Sequence, residues 1–76
     1  MGGSMYTVTQ IKERASTCTV YMLDSKGQSK SVPGIIEQIG QQFVQCLYRN
    51  GRYQWYVQAE RVNESHVQAL LDRHRQ

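Results

Sequence analysis

The stretch Arg49-Asn50-Gly51-Arg52 sets two guanidinium groups on either side of a tight turn, with Gln54 and Tyr56 following at alternate positions. Guanidinium groups bind phosphate oxygens and guanine edges, glutamine amides bond to base edges, and a tyrosine ring stacks on an unpaired base. Lys26 and Lys30 add two cations from a nearby turn segment. The partner these side chains favour is nucleic acid. Two arginines facing each other across a turn also repel, and an anion held between them would relieve that repulsion. A competing set lies in the same stretch. Phe43, Leu47 and Tyr56 are apolar groups rimmed by Gln and Arg. That composition suits a protein interface, whether of an adaptor, an inhibitor or a homodimer.

Catalytic chemistry has no comparable set. The chain holds no Gly-rich phosphate loop, no Ser or Cys nucleophile motif and no paired-carboxylate pattern. His66 and His74 fall on one helical stretch, more than two turns apart, too far to share an ion. Cys18 and Cys46 fit no zinc or redox spacing. A zinc site would require both cysteines and both histidines to converge from distant positions. The expectation is a non-enzymatic binding module with no catalytic residue, cofactor or metal. The two cysteines read as reduced, buried thiols of a cytoplasmic protein. No apolar run approaches membrane-spanning length and no signal-peptide core follows the start, so no membrane association is expected.

The bulk numbers set the frame for these residues. A chain of 76 residues makes one domain. Residues 1–4, MGGS, read as an expression-tag remnant, leaving 5–76 as a single small domain. With 39% hydrophobic and 20% charged residues, the chain is too apolar for disorder. Nine Lys and Arg against six Asp and Glu give a net charge of +3, which permits nucleic-acid binding without requiring it. The basic residues are spread along the chain, so folding must assemble any patch.

Asn-Gly between two alternating runs is a strong hairpin signal, because both turn positions need positive φ. A two-residue loop at Asn50-Gly51 sets Arg49 opposite Arg52, Tyr48 opposite Tyr53, Cys46 opposite Trp55 and Val44 opposite Val57. Alternation then sends Val44, Cys46, Tyr48, Tyr53, Trp55 and Val57 to a core face. Phe43, Gln45, Leu47, Arg49, Arg52, Gln54, Tyr56 and Gln58 take the other face. Residues 17–24, TCTVYMLD, predict a second strand ending in the turn Asp24–Gly27. Residues 6–14 look extended, though their last part could begin a helix, and pair with it in a hairpin through Ala15 and Ser16. Pro33 fits either the first turn of a short helix ending at Gly40 or a Pro-Gly turn before a strand over Ile35–Gln38; the strand is preferred. At the C-terminal end, Asn63 or Ser65 can cap a helix, with Ser65 and Gln68 at capping-box spacing, and Val67, Leu70 and Leu71 form its apolar stripe. The fold class expected is mainly β (α+β): an antiparallel meander of four to five strands with a C-terminal helix. Such meanders curl into small SH3-like or Tudor-like barrels.

Overall fold

A computed structural model describes residues 6–75. The tag remnant at 1–4 and the native start at Met5 lie outside them. The order is α1 (Val8–Thr17), β1 (Thr19–Leu23), β2 (Ser29–Ile39), β3 (Gln42–Arg49), β4 (Arg52–Val57), β5 (Glu60–Val62) and α2 (Glu64–His74). The strands form one antiparallel meander in the order β1-β2-β3-β4-β5. Among the described residues no pairing joins β1 to β5, so the sheet is open.

The Asn-Gly hairpin has the expected register, from Val44 opposite Val57 up to Arg49 opposite Arg52. Asn50 (φ 52°) and Gly51 (φ 73°) both take the positive φ that this turn requires. The ambiguous segment after Pro33 is a strand, but no Pro33-Gly34 turn precedes it, because Ser29–Ile39 runs through both residues as one strand. The segment is the C-terminal half of β2, pairing with β3 from Gly34 opposite Leu47 to Ile39 opposite Gln42.

Two local expectations are overturned. Residues 6–14 are not a strand, and there is no hairpin through Ala15 and Ser16. Val8–Thr17 is a helix with Thr7 as its N-cap. The Thr7 hydroxyl accepts from the Gln10 N–H at 3.1 Å, and the Gln10 side chain accepts from the Thr7 N–H at 2.9 Å. This reciprocal capping box satisfies two donors that would otherwise lack partners. Val8, Ile11 and Ala15, at helical spacing, are buried. At the other end, α2 starts two residues earlier than a Ser65 cap would place it. Asn63 is its N-cap and makes no side-chain cap bond. The stripe of Val67, Leu70 and Leu71 is buried as expected.

Both helices lie on one face of the sheet. The core there joins Val8, Ile11 and Ala15 of α1 and Val67, Leu70 and Leu71 of α2 to Ile35, Ile39, Val44, Cys46, Trp55 and Val57. Two ion pairs tie the helices in place. Lys12 Nζ lies 3.2 Å from the Glu64 carboxylate, joining α1 to α2, and the Arg14 guanidinium donates to the Glu37 carboxylate on β2. Arg14 also lies over the Tyr6 ring and Lys12 over Tyr53.

The long strand β2 serves two partners. Its first half, Ser29–Pro33, pairs with β1, and its second half, from Gly34, pairs with β3. The β1–β2 arm reaches back over the face opposite the helices, where the Met22 sulfur lies 3.8 Å from the Gln45 side-chain nitrogen. Val32 and Leu47, on that face, are buried yet stand apart from the main core. Gly34 is the elbow. A Cβ there would sit 2.6 Å from the Cys46 carbonyl oxygen and 2.8 Å from Leu47 Cδ2. The first obstacle is backbone and cannot swing aside. Gly34→Ala is expected to cost about 1–3 kcal/mol, the usual range for overpacking. Urea titration of the two proteins checks this; equal midpoints would show that the elbow is not tight.

Candidate functional site

Strand pairing on the face away from the helices aligns side chains in rows. One row crosses four strands: Ile36 pairs with Gln45, Gln45 with Tyr56, and Tyr56 with Arg61. On one side of it lie Gln38 and Phe43, which pair with each other. On the other side come Gly34, Leu47 and Gln54, and then Arg49 opposite Arg52 at the hairpin tip. The residues that β2 from Gly34, β3, β4 and β5 place on this face are one Gly, one Ile, one Phe, one Leu, one Tyr, three Gln and three Arg. None of them is acidic. The three arginines equal the whole net charge of +3.

The charges are segregated by the fold. Lys12 and Arg14 are engaged in the helix-side ion pairs, and Arg75 lies 3.9 Å from Asp72. Among the described residues no carboxylate lies within 4.0 Å of the side-chain nitrogens of Lys26, Lys30, Arg49, Arg52 or Arg61, nor of Arg73 at the end of α2 on the helix side. Arg49, Arg52 and Arg61 are exposed. Their potentials therefore add across one surface without local neutralisation.

Gln54 and Tyr56 are half-buried on β4, in line with Arg52. Lys30 is the register partner of Met22, whose sulfur lies beside Gln45, so the arm carries Lys30 to one side of the four-strand row. Lys26 is exposed in the turn at the arm's tip. There the Asp24 carboxylate accepts from the N–H groups of Lys26 and Gln28 at 2.8 and 2.9 Å. Among the described residues no hydrogen bond or ion pair joins Lys26 to the row. Among the apolar residues, Phe43 is 54% exposed. Leu47 is 1% exposed, so it fills space under the arm and presents nothing to a partner. Ile36, 53% exposed, stands beside Phe43 on this face. Sequence reading missed Ile36 and Arg61 because the pairing of β2 and β5 with the central hairpin is not written in either residue's neighbourhood.

The thiols lie on the helix side. Cys46 is fully buried, Cys18 is half-buried, and both are free. Desolvation by burial pushes the Cys46 thiol from 9.0 up to about 12, with Lys12 opposing and Glu64 adding a smaller push. The unfolded chain releases this proton near the ordinary value while the folded chain holds it. Stability is therefore full below pH 9 and falls above it, by about 1.4 kcal/mol per pH unit, until the folded thiol titrates. Cys46→Ala should flatten the alkaline limb of a plot of stability against pH. An unchanged limb would assign the loss to other groups.

No group of three or more His, Cys, Asp or Glu side chains that could hold a metal ion occurs among the described residues. Among them, no helix is long and apolar enough to cross a membrane. No family model, no curated protein and no solved structure matches this chain.

Proposed function

We propose that this protein is a non-enzymatic module that binds nucleic acid through its acid-free sheet face and the Arg49/Arg52 hairpin tip. The observation that carries the reading is charge segregation. The helix-side cations Lys12 and Arg14 are paired with carboxylates, whereas Arg49, Arg52 and Arg61 of the opposite face have no carboxylate within 4.0 Å among the described residues and stand among glutamine and aromatic side chains. Arginines at these positions neutralise phosphates, and the interleaved Gln54, Gln45 and Tyr56 offer groups to bases. Lys30 extends the positive surface from the arm, and Lys26 is a more distant phosphate contact. The open meander supports a binding surface, with the β1–β2 arm laid over part of one face. The two free thiols support a reducing compartment such as the cytoplasm as the place of action.

A second reading has its own observation. Ile36 and Phe43 are both more than half exposed on the same face. An adaptor, inhibitor or homodimer contact would use them together with Tyr56. The two readings separate in one experiment: fluorescence anisotropy with random-sequence DNA and RNA oligonucleotides, first at 50 mM salt and then at 200 mM. The nucleic-acid reading expects binding that weakens steeply with salt. No binding at 50 mM salt would remove it and leave the protein-contact reading.

A further inference from the structure

We infer that the sheet face takes single-stranded nucleic acid, stacking unpaired bases on Phe43 and Tyr56 while Arg61 and Lys30 flank them against the phosphates; this rests on the nucleic-acid reading above. Three observations point to a single strand. The first is width. The Ile36–Gln45–Tyr56–Arg61 row spans four strands, and at about 4.8 Å between strands it is roughly 14 Å across. A duplex major groove, about 12 Å wide, admits a two-stranded ribbon but not this surface.

The second observation is the pair of aromatic rings. Phe43 is 54% exposed, although a phenyl ring gains nothing from water. It lies two residues along β3 from Gln45, the partner of Tyr56, which makes Phe43 and Tyr56 diagonal neighbours on one face. Such neighbours are about 7–8 Å apart. Stacked bases along one strand of a duplex repeat at about 3.4 Å. Two bases seated on these two rings must therefore come from a strand whose bases are separated from each other. The Gln58 side chain accepts from the Phe43 N–H at 2.9 Å, and the Gln58 N–H donates to the Phe43 carbonyl at 3.0 Å, so the backbone beneath the ring is held.

The third observation is the placement of charge. Arg61 is the register partner of Tyr56 at one end of the row. Lys30, partner of Met22, stands at the side where the arm meets Gln45. The apolar and aromatic groups thus lie between cations, so a strand crossing the row can put bases on the rings and phosphates at the margins.

The test is anisotropy with a fluorescein-labelled oligo(dT) 12-mer, alone and annealed to oligo(dA). The proteins are wild type, Phe43→Ala, Phe43→Trp and Arg49→Ala/Arg52→Ala. Stacking of one base converts to a loss of about 5- to 150-fold on truncation. The expected result is that wild type prefers the single strand. Phe43→Ala should weaken that binding at least about 5-fold while duplex binding stays within about twofold, and Phe43→Trp should restore it. If Phe43→Ala binds the single strand as well as wild type while the double arginine variant binds both forms weakly, the stacking inference is overturned and the phosphate-binding reading stands. If wild type binds neither form at low salt, both fall. Phe43 is on the surface, so these variants are expected to fold, and far-ultraviolet circular dichroism verifies that they do.

Discussion

Trp55→Ala should lower the stability of the domain by about 3–5 kcal/mol, the range for truncating a buried aromatic residue. Against a typical total of about 5–15 kcal/mol, that leaves a small domain near or past its unfolding threshold. Trp55 is 3% exposed and sits mid-row on the core face, paired with Cys46 on one side and Val62 on the other. It packs in the core layer that both helices cover, so its loss opens a cavity there. Trp55→Phe should behave differently. The indole N–H is buried and has no hydrogen-bond partner among the described residues. Leaving such a donor unpaired costs about 1–3 kcal/mol. Phenylalanine removes that cost while giving up part of the packing, so the net change should stay below about 1.5 kcal/mol. Thermal and urea unfolding of the two variants check both values. A Phe variant as unstable as the Ala variant would mean that the indole nitrogen is satisfied in solution.

Removing the three arginines of the acid-free face should have the largest effect on binding. Each phosphate neutralised on a single strand contributes about 0.7 to the slope of log affinity against log salt. Arg49→Ala/Arg52→Ala/Arg61→Ala should therefore flatten that slope by about 2 and weaken binding on the order of 50-fold at 0.15 M salt. All three side chains are exposed and lack carboxylate partners among the described residues, so the variant should keep its stability. A control removing Lys12 or Arg14 would be misleading, because those cations hold α1 to Glu64 and Glu37. Arg73→Ala is the better control. It lies at the end of α2, away from the sheet face, and should leave the slope unchanged. A triple variant with the wild-type slope would place the binding surface elsewhere.

The parts of the fold that were legible in the sequence are those fixed by local rules. Asn50-Gly51 dictates the turn, the turn dictates the register, and alternation then sorts Trp55 to the core and Arg52, Gln54 and Tyr56 to the other face. The C-terminal helix followed from the spacing of Val67, Leu70 and Leu71. The N-terminal helix was readable in principle. Val8, Ile11 and Ala15 lie at helical spacing, and Thr7 with Gln10 forms the capping box. The density of β-branched and aromatic residues from Tyr6 to Thr9 argued for a strand, and packing against the sheet decided otherwise. Strand β5 was hidden for a different reason. Its preceding turn uses Gln58 (φ 51°) and Ala59 (φ 68°), residues with no preference for positive φ. The fate of Leu47 could not be read either. Alternation put it with Phe43 on the open face, and only the bend at Gly34, which lays the arm over it, separates the two. The segregation of charge likewise needed the fold, because Arg61 joins Arg49 and Arg52 only through the pairing of β5 with β4.

Where an oligonucleotide touches the protein can be mapped by following backbone amide resonances of 15N-labelled protein as oligo(dT) is added. The amides of Ile36, Gln38, Phe43, Gln45, Tyr56 and Arg61, together with the Arg49–Arg52 tip, should shift progressively, while those of α1 and α2 stay in place. Shifts concentrated on the helices, or none at millimolar oligonucleotide in low salt, would contradict binding through the sheet face.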